Sequence, residues 1–465
     1  MTRPGFPQAA MSGNRRRLGP PPPGPVLRLR AAAAGMTAVA LLPAVAGCGT
    51  ATGSGAAPAT GSPPGAVVVN CLARSLCYTP RQVRVAYGIQ PLLDRGITGR
   101  GQTVVLLEFP PAAGSPPAVT DIRQDLARFD TAFGLPAVQL QAVNTLAHAA
   151  SPWLATAEEV ADTEIVHAVA PDAAIREILI PSPYTASPGK AGAAVAAALR
   201  LGLTQGGVIE LSADEGEQCF TTAQAAQVNA ALQAAQHNRV SVVMSSGDYG
   251  AAINHCRGAG TAAAYVKGVN FPGSDPLTLA VGGTSLQVSR ATGAYIGETA
   301  WNHPPATPEG ISQASSGGFS LLFPRPSYQD GTPAIGATRG VPDVAADADS
   351  RTGMALAISD GGQHYGLTGI GGTSVAAPLW AAVIALADQY AGRHLGFVNP
   401  ALYQIGHSDH YHQAFHDVTT GTNSVTFPGQ TVTGYQAGPG WDPVTGWGSP
   451  NAQALVPLLA RYASP

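Results

Sequence analysis

The sequence predicts an α/β fold, a mostly parallel sheet with helices on both faces, and three observations predict it. Continuous apolar runs recur at Gln102–Phe109 (QTVVLLEF), Ala174–Ile180, Val208–Leu211, Val240–Met244 and Leu277–Val281, the mark of strands buried on both faces. Between them lie helical stretches at Asp121–Phe133, with Gly134 as its stop, and at Ala157–Ala168, Ala191–Leu201 and Ala223–Ala235. Strands that alternate with helices imply crossover connections, which make the sheet parallel and cover both of its faces. In such sheets the functional site sits in loops beyond the carboxyl ends of the strands.

Composition agrees. Of 465 residues 45% are hydrophobic and 11% charged, which suits a large core and excludes a disordered chain. A formal net charge of -3 offers no basic field for nucleic acid or anionic lipid, so neutral substrates are expected and no nucleic-acid partner. The 56 glycines and 40 prolines imply many turns around a loop-rich globular domain. Low charge density also tolerates acid, since few ion pairs would be lost on protonation.

In chain order, residues 1–48 read as an export signal. Arg28 and Arg30 precede an Ala-rich apolar run, Ala31–Ala46. A transmembrane helix needs about 20 apolar residues, more than this run supplies. The run ends in Val45-Ala46-Gly47-Cys48, which is similar to a bacterial lipobox, so Cys48 is expected to carry a lipid and to be the only membrane attachment of an extracellular protein. A plain signal peptide with Cys48 incidental is the alternative. Arg15 to Arg17 and the Pro20 to Pro23 run fit no signal peptide, which suggests a start codon placed too far upstream. Residues 49–69 form a flexible tether by composition (ATGSGAAPATGSPPG over 51–65), and 70–465 form the main domain, without an internal repeat and expected to be monomeric. With Cys48 set aside, four cysteines remain, and proximity pairs Cys71 with Cys77 and Cys219 with Cys256.

The strongest chemical signal is Gly371-Gly372-Thr373-Ser374-Val375-Ala376-Ala377-Pro378, followed by an apolar helix to about Tyr390. Two glycines allow a tight approach and leave Ser374 at a helix N-terminus, where free N–H groups and the helix dipole can stabilise a nucleophile and an oxyanion. Alone, Ser374 would read as an N-cap. Nothing in the sequence supplies a histidine base in a suitable context; His167 reads as a satisfied or surface residue. Glu158 and Asp162 stand four apart on a helix and share a face, so they repel, raise one pKa and can hold a proton between them. Thr156 and Glu159 form a T-x-x-E capping box, which explains Glu159 and leaves Glu158 unexplained. Ser245-Ser246-Gly247-Asp248-Tyr249-Gly250 follows a strand and could be an ordinary Asp turn.

Taken together these motifs resemble the sedolisins, the serine-carboxyl peptidases of subtilisin-like fold. The Ser374 octet resembles their nucleophile motif, and Glu158–Pro171 (EEVADTEIVHAVAP) their catalytic-acid helix. Tyr78-Thr79-Pro80 through Tyr87-Gly88, Ser315–Ser320 with Pro326–Gln329, and Pro342-Asp343-Val344 with Asp347 and Asp349 match further segments in the family's order. The resemblance implies that Ser374 attacks a peptide carbonyl and Glu158 takes its proton, with Asp162 orienting Glu158. Asp248, protonated, takes the oxyanion part that an asparagine plays in subtilisins. It also implies one structural calcium ion, bound by carboxylates of Asp417 and Asp442 and carbonyls of Val418, Gly438 and Gly440. The substrates would be proteins or peptides, cleaved in acid as an endopeptidase or a tripeptidyl-peptidase.

Two departures stand out. Sedolisins are usually made with a large prodomain, yet only the tether and a short segment separate Cys48 from Tyr78. The substrate strand, usually ending Ser-x-Gly, here runs Ser212-Ala213-Asp214 into Glu215. An inactive peptide-binding lipoprotein that keeps the fold is therefore the competing reading, and a solute-binding lipoprotein a third.

Overall fold

The computed structural model describes residues 67–109, 120–145, 151, 153–180, 191–212, 215–253, 265–304, 312–359 and 364–463. All of them belong to the compact unit Thr52–Pro465. The export signal with Cys48, the tether up to Ala66, Asp214 and Cys256 lie outside the described residues.

Eight strands make the central sheet: β1 (Thr103–Glu108), β2 (Gln139–Asn144), β3 (Ala174–Leu179), β4 (Val208–Leu211), β5 (Ser241–Ser245), β6 (Leu279–Val288), β7 (Tyr295–Ala300) and β8 (Val344–Asp347). Their order is β7-β6-β5-β4-β1-β3-β2, with β8 also paired to the long β6. Every pairing is parallel except β6 with β7. The five apolar runs predicted as strands are all in this sheet. The edge strand β2, which alternates between exposed and half-buried residues, was not apolar enough to be read.

The helices fall where their sequence signals put them. α1 (Ile122–Phe133) starts at Asp121, whose carboxylate accepts from Arg123 N at 3.1 Å, and stops at Gly134 with φ 67°. α2 (Ala157–Val169) opens on the Thr156/Glu159 capping box. α3 (Ala191–Gly202) and α4 (Thr222–His237) follow, the latter capped by Thr221 with Gln224. α5 (Thr373–Ala391) is buried along most of its length and ends at Gly392 with φ 66°. α3 and α4 pack on one face of the sheet, against Val105, Leu107, Ile209, Leu211 and Met244. α2 and α5 pack on the other, against Val104, Leu106, Val208 and Val243. Successive residues of a strand point to opposite faces, so each apolar run serves two cores at once. Trp380 of α5 is fully buried and its indole N–H donates to Ala345 O at 2.8 Å, tying the helix to β8. Cys71 and Cys77 form a disulfide, as proximity suggested.

Candidate active site

Ser374 is the second residue of α5. Gly372 precedes the helix at φ 134°, a value that favours glycine, and its N–H is held by Ala348 O at 2.8 Å. A proline six residues into a helix removes one N–H from the ladder. Here it is Pro378, which leaves the Ser374 carbonyl without its helical donor; the Ser212 hydroxyl stands 3.5 Å from that carbonyl instead.

Glu158, in the first turn of α2, is half-buried, and its carboxyl is hydrogen-bonded to the side chain of Ser374. Burial raises its pKa, the Ser374 hydroxyl lowers it, and the nearby Asp248 charge raises it again, so the net shift is upward. Asp248 sits in the turn after β5. Its Oδ1 accepts from Thr373 N at 2.8 Å and from Thr373 Oγ1 at 3.0 Å. With Oδ1 occupied by two donors, a proton on this carboxyl belongs on Oδ2. Burial outweighs the Thr373 bonds and raises the pKa of Asp248, which favours that proton. A Cβ on Gly372 would lie 2.9 Å from Asp248 Oδ2 and 3.0 Å from Ser374 Oγ. The missing side chain therefore keeps open the space between nucleophile and donor, where a reacting carbonyl must fit.

Asp162, one turn on from Glu158, is fully buried. Both of its oxygens are buried without a hydrogen-bond partner among the described residues, and Glu108, at the carboxyl end of β1, is the carboxyl that stands beside it. Glu158 acts on it through charge, and no hydrogen bond joins the two among the described residues. Glu210 of β4 completes a cluster: one carboxyl oxygen each of Glu108, Asp162 and Glu210 lie within 4.8 Å of one another. Burial above all, then mutual repulsion, raises the pKa of Asp162 and Glu108 well above ordinary carboxylate values. Register explains the meeting. Glu210 and Glu177 both pair with Leu106, and Glu108 lies two residues further along β1, so all three project to the face that α2 and α5 cover. Glu108 and Glu210 are site residues that reading the motifs missed. Their signal was present, a glutamate interrupting an otherwise apolar strand.

His167 is buried rather than at the surface, with Nε2 2.9 Å from both Pro136 O and Asp130 Oδ1 and Nδ1 without a partner among the described residues. The Ser315–Ser320 segment lies against the Asp248 turn: Ala314 N donates to Asp248 O and Ser316 N to Gly247 O, both at 2.9 Å. Asp343 is engaged elsewhere, in a fully buried ion pair with Arg339 at 2.6 Å.

The five C-terminal residues suggested for calcium also converge. Asp417 accepts from Gly440 N at 3.1 Å, Asp442 accepts from Gly438 N at 3.1 Å, and the Thr445 hydroxyl lies 3.1 Å from Asp442 Oδ2 and 3.4 Å from Val418 O. Carboxylates and carbonyls on one tight loop pair are the hard oxygen donors that calcium takes, so the residues fit the ion.

No protein-family model matches the chain. Among curated proteins, kumamolisin of Bacillus sp. (strain MN-32) is 33% identical over 403 residues, 84% of this chain and 65% of kumamolisin. Sedolisin of Pseudomonas sp. (strain 101) is 36% identical over 220 residues, 47% of this chain and 34% of that protein. Human tripeptidyl-peptidase 1 is 30% identical over 269 residues, 54% of this chain and 42% of that one. The chain thus spans just under two thirds of kumamolisin and less than half of the other two. Among solved structures, Pseudomonas sedolisin, a serine-carboxyl proteinase complexed with two molecules of pseudo-iodotyrostatin, superposes with a TM-score of 0.67 at 26% identity. That match covers 83% of this chain and 99% of that one. The parallel sheet, the serine that follows Gly371-Gly372-Thr373 at the start of α5 and these likenesses agree, and the chain belongs to the sedolisin family, with its subtilisin-like fold.

Proposed function

We propose that the protein is a serine-carboxyl peptidase that cleaves peptide bonds in acid through an acyl-enzyme on Ser374. The observation that carries this is the hydrogen bond between Glu158 and Ser374, with Asp248 Oδ2 facing the same open space. Glu158 takes the hydroxyl proton as Ser374 Oγ bonds to the carbonyl carbon, then gives it to the leaving amine. Asp248, protonated on Oδ2, donates to the oxyanion. Water repeats the sequence to release the acyl group and restore Ser374. Asp162 stands one helical turn behind Glu158 as a buried carboxyl.

Calcium, where bound, cross-links the loop around Asp417 to the loop around Asp442. Asp417, Asp442 and the carbonyls of Val418, Gly438 and Gly440 would hold it. The enzyme's substrates are peptides or proteins. We further propose that the enzyme acts as a monomer outside the cell, anchored by a lipid on Cys48. Among the described residues no helix is long and apolar enough to cross a membrane. Metabolic labelling with a fatty acid should mark the wild type and not Cys48→Ala.

The test is turnover of an unfolded protein substrate from pH 3 to 8, with Ser374→Ala as control. The alanine variant should fold and lose at least about a thousandfold in kcat/KM. Activity should rise as Glu158 loses its proton and fall as Asp248 loses its own, a bell centred in acid because histidine takes no part. Undiminished turnover by Ser374→Ala, or a maximum near pH 8, would refute the mechanism.

A further inference from the structure

We propose that Glu210 is a positioning residue: with Glu108 and Asp162 it forms a three-carboxyl proton store behind Glu158, and it keeps Asp162 protonated across the working pH range. The inference rests on the peptidase reading above and adds a residue to it.

The observations are geometric. Asp162 and Glu210 are fully buried and Glu108 is 4% exposed. Their oxygens fall within 4.8 Å of one another, and among the described residues no cation pairs with any of them. Both Asp162 oxygens and Glu108 Oε1 are buried without a donor among the described residues, so these adjoining carboxyls can satisfy one another only by sharing a proton. Glu210 is partly committed: its Oε1 accepts from Ser212 Oγ at 2.7 Å, while Oε2 is buried without a donor. Three buried carboxyls with so few donors must be neutralised, and protons are what neutralise them.

The charged groups that face Glu210 among the described residues are acidic and favour a proton on it, while the Ser212 hydroxyl that donates to it opposes one. Glu108 from β1, Asp162 and Glu158 from α2 are acidic, with Glu177 of β3 and Glu159 of α2 acting on Glu108 beyond them. Across β5 the register partner is Val243, which adds no charge. From the α5 side the Ser374 carbonyl approaches, 3.5 Å from the Ser212 hydroxyl. Glu210 is thus a like-charged neighbour of Asp162, and its presence makes the first proton of the cluster harder to lose. The Ser212 hydroxyl that donates to Glu210 stands 3.5 Å from the Ser374 carbonyl, which places the store beside the nucleophile's helix. A charge change at Asp162 would be felt one helical turn away by Glu158, the group that must take and return the Ser374 proton.

The decisive measurement is an infrared titration of the protonated carboxyl bands in the full chain, wild type against Glu210→Gln and Glu210→Leu, with a parallel pH profile of kcat/KM. Glutamine keeps the volume and an amide N–H, and leucine keeps the packing should glutamine impair folding. In either folded variant the midpoint at which the buried acid bands vanish should fall by about one pH unit. The alkaline limb of kcat/KM should move toward acid with it, and KM at the acid end should change less than twofold. Glu210→Asp, which keeps a carboxyl, should restore most of the wild-type midpoint. An unmoved midpoint in a folded variant overturns the proton store, and a moved midpoint with an unmoved alkaline limb overturns the positioning role. If the wild type shows no Ser374-dependent turnover, the peptidase reading fails, while the infrared midpoint still decides whether Glu210 shares protons with Asp162.

Discussion

At Gly372 a missing methyl group holds the site open. A Cβ there would stand about 3 Å from both the nucleophile and the Asp248 oxygen, closer than real Cβ contacts come, and the backbone at φ 134° would resist any side chain. Gly372→Ala should therefore remove turnover by at least about a hundredfold while costing on the order of 1–3 kcal/mol in stability. Urea unfolding together with kcat/KM separates the two effects, and a variant that keeps wild-type turnover would show that substrate does not use this space. The neighbouring Thr373 matters for a related reason. Its hydroxyl accepts from Gly247 N at 2.9 Å and donates to Asp248 Oδ1, so one side chain fixes the turn and directs the carboxyl proton to Oδ2. Single residues of this kind were partly legible in the sequence. The Gly-Gly-Thr-Ser run identified the nucleophile region, but the work of Thr373 depends on a turn 125 positions away that no local pattern specifies.

Elements were the most legible scale, because periodicity and caps are local. Asp121, Thr156, Thr221, Gly134 and Gly392 each sit at a helix boundary, and the five apolar runs each became a strand. What stayed hidden was register. That Glu177 and Glu210 lie level with Leu106, and Glu108 just beyond, follows from pairing between strands far apart in sequence, and it assembles an acidic cluster that no motif announced. The two C-terminal loops are an intermediate case, since their composition suggested oxygen ligands and the structure brings Asp417, Val418 and Asp442 into contact through Gly438, Gly440 and Thr445. Asp442 is buried, with its pKa pushed up to about 6, so without a cation these loops hold a costly carboxylate. Exhaustive chelation should lower Tm by several degrees and speed cleavage in the 417–446 region. Asp442→Ala should abolish the calcium dependence of Tm. Unchanged melting after chelation, with no calcium bound in calorimetric titration, would remove the ion from this account.

For the whole molecule, the distribution of buried acids sets how stability responds to pH. Glu108, Asp162, Glu164, Glu177 and Glu210 all lie inside the domain, and among the described residues none of the five has a cationic partner. Burial raises each of them, Glu177 to about 8. An unfolded glutamate releases its proton near pH 4.3, whereas a folded one with a raised pKa retains it. The unfolded state therefore binds fewer protons, and stability is fully present below about pH 4 and lost as pH rises through the folded values. Glu177 alone would account for on the order of 3 kcal/mol of that loss at pH 7, less whatever relaxation of the cavity recovers. Glutamine at this position keeps an acceptor for the Thr163 hydroxyl, which donates to Glu177 at 2.7 Å, and removes the titrating group. Calorimetry from pH 4 to 8 should show Tm falling steeply in the wild type and less steeply in Glu177→Gln, the two converging in acid. Unfolding near pH 6.5, repeated in buffers of different ionisation enthalpy, should release more than one proton per chain. A wild-type Tm that rises toward neutrality would mean that these carboxylates find cations or solvent in the folded protein, and the acid-adapted character inferred for the fold would be lost with them.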